Sequence, residues 1–452
     1  MAVAAVMAGG CRKLLNVPSQ QDQLSAATVY SSDADAEEAM TGLYIEVMTS
    51  QRTLLNGGMS LYGGLSSDEL VNTGPNPLIE PFVTNTLTAD NIDCSTLYST
   101  AYNVIFSANS LMAGLSASGG VSAAVRTGLR GEAEVVRALE YFSLVNLYGG
   151  VPLVTGIDFS VTAGLPRDSV AGVYAQIEAD LQDAASVLST AYLSTAEYPG
   201  ARTRPNSLAA MALLARVWLY RGQWALAERE ADTVIASGMY QLEPGLDSVF
   251  SAGSREAIWQ LQPVNGALET GDAEEFVPGP GFRPAYALTG EWLAAVEPGD
   301  QRRVAWVDSM SEGPAVYYYP YKYQFTALSS VDTQYNMVMR LAEVMLIRAE
   351  ARAQQGEIAG AQADLNAVRA RAGLAPTTAG DMAGLLAAIL HERQVEFVAE
   401  WGHRWLDLKR TGLADAVLGS EKPGWVGTDT LYPIPAGELT ANPGLVQNPG
   451  YE

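Results

Sequence analysis

Basic residues are scarce in this chain: 27 Lys and Arg stand against 50 Asp and Glu, for a formal net charge of −23. Such a surface repels phosphate backbones and anionic head groups, which excludes nucleic acid as a partner and electrostatic adhesion to an acidic membrane. Histidine is scarcer still, with only His391 and His403. Both lie in segments dense with charge, where a structural histidine is expected, and Val395 stands where "HERQV" would need a second histidine to hold zinc. Cysteine occurs twice, at Cys11 and Cys94, too few for a disulfide framework and wrongly spaced for a metal site. No run approaches the roughly 20 apolar residues of a membrane helix. The most apolar stretches, "LLARVWLY" and "LAEVMLI", are short and interrupted by charge. Phosphate loops, dinucleotide fingerprints and nucleophile elbows are missing as well. The sequence therefore predicts no catalysis, no cofactor and no metal.

What is present is a large helical body. Of the 452 residues 48% are hydrophobic, enough to bury a sizeable core. In "NSLAAMALLARVWLYRGQWALAEREADTVIASGMYQL", Leu214, Ala215 and Trp218 share one helical face, Gly222 breaks the helix, and Trp224, Ala227, Ala231 and Val234 resume the period. Small residues let two helices approach closely and tryptophans fill the space beside the turn, a tetratricopeptide-like hairpin. A second copy, "MRLAEVMLIRAEARAQQGEIAGAQADLNAVRARAG", places Ala349, Gly356, Ile358, Ala361, Leu365 and Val368 at matching offsets. Further amphipathic helices are expected in "EEAMTGLYIEVMTSQ", "CSTLYSTAYNVIFSANSLMAGL", "RGEAEVVRALEYFSLVNLYG" and "SVAGVYAQIEADLQDAASVL". A long C-terminal helix in "MAGLLAAILHERQVEFVAEWGHRWLDLKRTG" should break at Gly402. The expected fold is all-α predominantly, a tetratricopeptide-like helical hairpin scaffold with an irregular insertion of loops and short strands. Glu392, Glu396 and Glu400 recur at i, i+4 spacing, a row that forms ion pairs at a helix-packing edge. A glycosidase would instead need two carboxylates facing each other across a cleft.

Five segments follow from these patterns. Residues 1–11 are apolar or small and end at Cys11, like the end of a lipoprotein signal, although no Lys or Arg precedes that cysteine. On these residues alone, a lipidated cysteine and an ordinary flexible terminus both remain open. Residues 12–35 are polar and read as a flexible tether. A helical scaffold with ligand-facing loops is expected over 36–239, the irregular insertion with short strands and a ligand-binding face over 240–336, and a C-terminal helical scaffold over 337–452. The insertion and the loop-rich "NGGMSLYGGLSSDELVNTGPNP" draw the functional expectation, because binding groups usually sit on loops held by a rigid frame. Tyr62, Tyr98, Trp292, Trp306 and the run Tyr317, Tyr318, Tyr319, Tyr321 and Tyr323 lie in or beside these regions. Aromatic rings stack on the C–H faces of sugars, so an uncharged glycan suits an acidic, aromatic-lined surface. "YYYPYKYQF" also alternates like a strand, with half of its rings directed to a core.

Signatures in a fixed order then cover nearly the whole length. "CRKLLNVPSQ", "SSDE", "AYNVIFSANSLM" and "AEVVRALEYFSLVNLYGGVPLVT" are followed by "WLYRGQWALAEREADTVIASGMYQL", "MRLAEVMLIRAEARAQQG", "LNAVRARAGL", "ERQVEFVAEWGHRWLDLKRTG" and "LYPIPAGELTANPGLVQNPGY". In these the chain resembles the SusD/RagB family of outer-membrane nutrient-uptake lipoproteins. The resemblance implies a non-catalytic, surface-exposed protein that binds glycan and delivers it to a partner, a SusC-like TonB-dependent transporter barrel. It makes Cys11 the acylated residue that anchors the chain to the outer membrane. It implies ligand contacts at Asp68 of "SSDE", at Tyr98, where starch-binding members carry an aromatic four positions before the equivalent of Tyr102, and at Trp292, with Tyr62 nearby. The alternative of a different class is a helical-repeat scaffold that binds peptides in the periplasm or cytoplasm.

Overall fold

The computed structural model describes residues 29–74, 76–193, 201–264, 270–324 and 334–451. Its principal helices are α1 (Asp33–Thr49), α2 (Gly58–Ser66), α3 (Ile92–Ala117), α4 (Ala123–Tyr148), α5 (Val170–Val187), α6 (Ser207–Tyr220), α7 (Trp224–Ala236), α8 (Leu341–Gln354), α9 (Ile358–Arg371), α10 (Met382–Glu396), α11 (His403–Arg410) and α12 (Ala414–Glu421). Many start at a polar side chain that accepts an otherwise orphaned backbone N–H: Asn91 for α3, Ser122 for α4, Ser169 for α5, Asn206 for α6 and Asp381 for α10.

Packing follows the expected hairpins. From α3 to α9 each helix lies against the next, and α7 packs directly on α8. The stack is thus continuous in space although the insertion separates those two helices in sequence. Ala215, Ala227 and Ala231 are fully buried between α6 and α7, with Trp218 beside them. Gly222 (φ +66°) and Gly356 (φ +80°) make the two hairpin turns in the left-handed region that favours glycine. The scaffold is the helical one that the sequence predicts.

Among the described residues, three short antiparallel sheets decorate it. β1 (Leu70–Asn72) pairs with β3 (Tyr286–Leu288), β2 (Ala257–Leu261) with β6 (Asn336–Arg340), and β4 (Val307–Glu312) with β5 (Ala315–Pro320). Leu70 faces Leu288 and Asn72 faces Tyr286, so the insertion is pinned to the segment just after α2.

The structure departs from expectation in three places. The glycine-rich "GMSLYGGLS" is not a loop but helix α2, buried along its whole length. A Cβ on Gly63 would lie 2.6 Å from Gly402 Cα, so these glycines permit backbone contact with the start of α11. Second, α10 ends at Glu396, ahead of the expected break, and Ala399 (φ +49°), Trp401 (φ +48°) and Gly402 (φ +64°) turn the chain into α11. Third, packed structure begins inside the segment 12–35 expected to be tether. The Ser118 hydroxyl donates to Tyr30 O at 2.6 Å, and the Ser122 N–H donates to Asp33 Oδ1 at 2.6 Å. Cys11 lies outside the described residues. Among those residues, no helix is long and apolar enough to cross a membrane.

Candidate functional site

Four chain segments meet around a groove of about 520 Å³. Ser67, Asp68, Leu70 and Val71 follow α2, and Val83, Thr84 and Thr86 come from the short helix Glu80–Thr84 and its exit. Thr289 and Glu291 start the helix Gly290–Ala295, and Glu421, Lys422, Pro423 and Gly424 end α12.

The wall after α2 is built by capping. A helix leaves its last carbonyls without intrahelical donors. Here the Ser67 N–H donates to Gly63 O and its hydroxyl to Gly64 O, while the Lys422 ammonium donates to Leu65 O and Ser66 O, each at 2.8 Å. A cation at the negative end of a helix dipole is a favourable placement. Burial pulls the Lys422 ammonium down to about 7, against the opposing pull of Asp68 and Glu421.

Asp68 is brought to the groove as expected, but its carboxylate is committed. Arg404 of α11 holds it bidentately, Nε to Oδ1 at 2.7 Å and Nη2 to Oδ2 at 2.6 Å. Thr289 ties its own segment to the backbone of the same stretch: its N–H donates to Glu69 O at 3.0 Å and its hydroxyl to Asp68 O at 2.5 Å. Next to this pair the carboxyl of Glu69 is fully buried. Desolvation, then the Asp68 charge, pushes it up to about 8.

The three expected aromatic contacts are corrected by their surroundings, since their rings fill the core and offer no face to a ligand. Tyr62 (2% exposed) packs on Phe82 within the buried α2. Tyr98 (2%) lies on the same helical face as Tyr102, the face that packs inward, with its ring 4.9 Å from Tyr102 and 5.1 Å from Tyr148. Trp292 (1%) sits three residues after the capping Thr289, and its indole N–H donates to Gln394 O at 3.2 Å, pinning Gly290–Ala295 to α10. Its place is behind the groove wall that carries Thr289 and Glu291.

Other aromatics divide as a strand demands. Tyr319 and Tyr323 are buried, whereas Tyr317, Tyr318 and Tyr321 are half-buried. The Arg283 guanidinium lies over the Tyr317 ring and that of Arg303 over Tyr318, and the neighbouring Phe282 is 72% exposed. Val71, Thr289 and Glu291 fall in the two regions that drew the functional expectation without being singled out, whereas Val83, Thr84, Thr86 and Glu421 to Gly424 were missed; the local sign of the last was the helix-terminating "EKPG", and a Pro-Gly turn says nothing of what it faces.

Charge elsewhere is structural. The expected row of Glu392, Glu396 and Glu400 is buried and meets Arg302, Arg340, Arg371 and Lys322. His403 is buried among Arg216, Arg393 and Arg340, and desolvation first, then those cations, holds it well below the usual imidazole range. Among the described residues, no set of three or more His, Cys, Asp and Glu side chains converges on a metal position.

Comparison with known proteins now bears on the whole molecule. The model of the SusD family matches residues 306–451, and that described as "Starch-binding associating with outer membrane" matches residues 27–219, together more than half of the chain. The chain belongs to the SusD/RagB family. SusD-like protein P2 of Formosa agariphila is 27% identical over 501 residues, covering 95% of this chain and 94% of that protein. A laminarin-binding SusD-like protein superposes with a TM-score of 0.79 at 26% identity, covering 93% of this chain and all of that one. The fold is shared as well with a SusD superfamily protein from Bacteroides vulgatus, at a TM-score of 0.82 and 20% identity over 93% of this chain and all of that one. Against this SusD-like frame, the groove joins the family's helical scaffold to the insertion through β1, β3 and the end of α12.

Proposed function

We propose that this protein is a surface glycan-binding lipoprotein that captures a sugar chain in the groove and passes it, without catalysis, to a TonB-dependent transporter barrel. The observation that carries the reading is the lining. Carboxylates and the threonines Thr84, Thr86 and Thr289 line the groove together with the aliphatic Leu70, Val71, Val83 and Pro423. Sugar hydroxyls need closely spaced acceptors and donors, and their C–H faces need apolar contact; a concave site of this size supplies both. Membership of the SusD/RagB family supports the same reading, and the laminarin-binding relative puts neutral β-glucans first in a screen.

Acylation of Cys11 is the proposed anchor. Each buried methylene contributes about 0.8 kcal/mol, so several acyl chains together hold an acidic body stably at a membrane. Mass spectrometry of the N-terminal peptide from native membranes should show acylated Cys11, and an unmodified thiol there removes the anchor.

Affinity electrophoresis against a polysaccharide panel tests the binding itself. Retention by at least one glycan, lost on filling the groove with Val83→Trp, is the expected result. Retention by none withdraws the glycan assignment. Co-purification from native outer membranes should bring down a large barrel; its absence removes the transporter as partner.

A further inference from the structure

Two carboxylates at the groove have no structural employment. Glu291 and Glu421 are exposed and line the cavity from two different segments, and neither carboxylate has a hydrogen bond or an ion pair among the described residues. Glu291 stands in the first turn of its helix, where a negative charge is favourable. Glu421 is the reverse case. It is the last residue of α12, at the negative end of the helix dipole, and desolvation, then the charges of Asp68 and Glu291, push its carboxyl above the usual range. Local rules of this kind are broken mainly at functional or strained positions.

The nearby cations Arg404 and Lys422 offset this only in part. Lys422 spends two donors on Leu65 O and Ser66 O, and the Asp68 charge is already matched by Arg404. No arginine lines the groove among the described residues, so the two glutamates outweigh the single lysine. The chain as a whole, these residues included, carries a net charge of −23. Any ligand carrying carboxylate or sulfate groups enters against this field, whereas an uncharged sugar offers hydroxyl hydrogens that both glutamates can accept.

We propose that Glu291 and Glu421 act together as a charge filter, so that the groove takes uncharged glycans and rejects uronate-bearing and sulfated ones. The proposal rests on the glycan-binding reading above and names the ligand class of that same groove. In it Glu421 and Glu291 are hydroxyl acceptors for the bound sugar, and their negative charge is the discriminating element.

The test uses the full chain and the variant Glu291→Gln/Glu421→Gln. The neutral probes are laminarin, a mixed-linkage β-glucan, a soluble starch and a galactomannan; the anionic ones are polygalacturonate and a sulfated galactan. All are run at low and at high salt. The wild type should bind at least one neutral probe and neither anionic one. The double variant should raise the ratio of anionic to neutral affinity by roughly tenfold at low salt, an effect that shrinks as salt screens the charges. Its melting temperature should not fall, because neither carboxylate holds the fold. Wild-type binding of an anionic probe as tight as that of any neutral one overturns the filter and leaves glycan binding standing, as does an unchanged ratio in the variant. Binding of no probe by the wild type overturns the glycan reading and the filter with it.

Discussion

Two regions of this molecule concentrate carboxylates, and they treat them in opposite ways. Where α8, α9 and α10 meet the insertion, Glu256, Asp300, Glu392, Glu396 and Glu400 are all buried, and each is bonded to a cation from among Arg302, Lys322, Arg340, Arg369 and Arg371. At the groove Asp68 is paired in the same manner, while Glu291 and Glu421 are left free at the surface. A buried charge is tolerated only when matched, because desolvation costs several kcal/mol per ion. A buried acid without a bonded cation must instead stay protonated, as burial drives Glu69 and Glu140 to do, whereas Glu291 and Glu421 stand where water or a ligand reaches them.

Breaking a pair in the frame should do the most damage. Arg340 bridges Glu256, Glu396 and Glu400 from a fully buried position. Arg340→Met takes a cation from three buried carboxylates, leaving Glu256 to Arg371, Glu396 to Arg302 and Arg371, and Glu400 to Lys322, and is expected to lose about 3–5 kcal/mol of stability, as a lowered urea midpoint would show. Midpoints within error of wild type would mean that the lattice is not what secures the insertion to α10. Trp292→Ala comes next, at about 3–4 kcal/mol for a cavity in the core. Because Trp292 also ties Gly290–Ala295 to α10, glycan affinity should fall together with stability. Lost affinity at unchanged stability would return Trp292 to the ligand face.

These two residues also show how much was legible in the sequence. The hairpins were, since Ala215, Ala227, Ala361 and Leu365 recur with a period that only helix packing explains. The i, i+4 row of glutamates read correctly as ion pairs, although its partners Arg302 and Arg340 lie too far along the chain for spacing to reveal them. Trp292 was misread because a tryptophan in a glycine- and proline-rich stretch looks exposed; its burial depends on a cap at Thr289 and an acceptor at Gln394 O, both tertiary facts. Helix α2 was hidden for a related reason. Its glycines signal turns by themselves and reveal close packing only once Gly402 is placed against Gly63. The groove was half legible: "SSDE" was singled out, whereas Glu421 and Lys422 belong to a segment with no pattern of its own.

A smaller effect separates a buried acid from the free ones. The Glu69 carboxyl is raised from the ordinary range to about 8, first by burial and then by Asp68. A raised folded-state value means that the folded protein holds its proton longer than the unfolded chain. The associated stability is full below about pH 4, the ordinary glutamate value, and declines as pH rises through 8. Melting temperature should fall between about pH 5 and 8 and level off above that, and Glu69→Gln, which cannot ionise, should flatten that fall. A wild-type curve level over this range would show that Glu69 is ionised and paired.

The smallest effect has the opposite sign. Glu421→Gln removes a negative charge from the C-terminal end of α12, where it opposes the helix dipole and faces Asp68 and Glu291. No bond is lost with it, so stability should rise by about 0.3–1 kcal/mol at low salt, and the gain should shrink with added salt. Thermal unfolding at two ionic strengths is sufficient to see it. Destabilisation would mean that Glu421 has a partner in solution and belongs with the frame. A gain that vanishes with salt would place it on the other side of the comparison, among the carboxylates that the fold itself does not use.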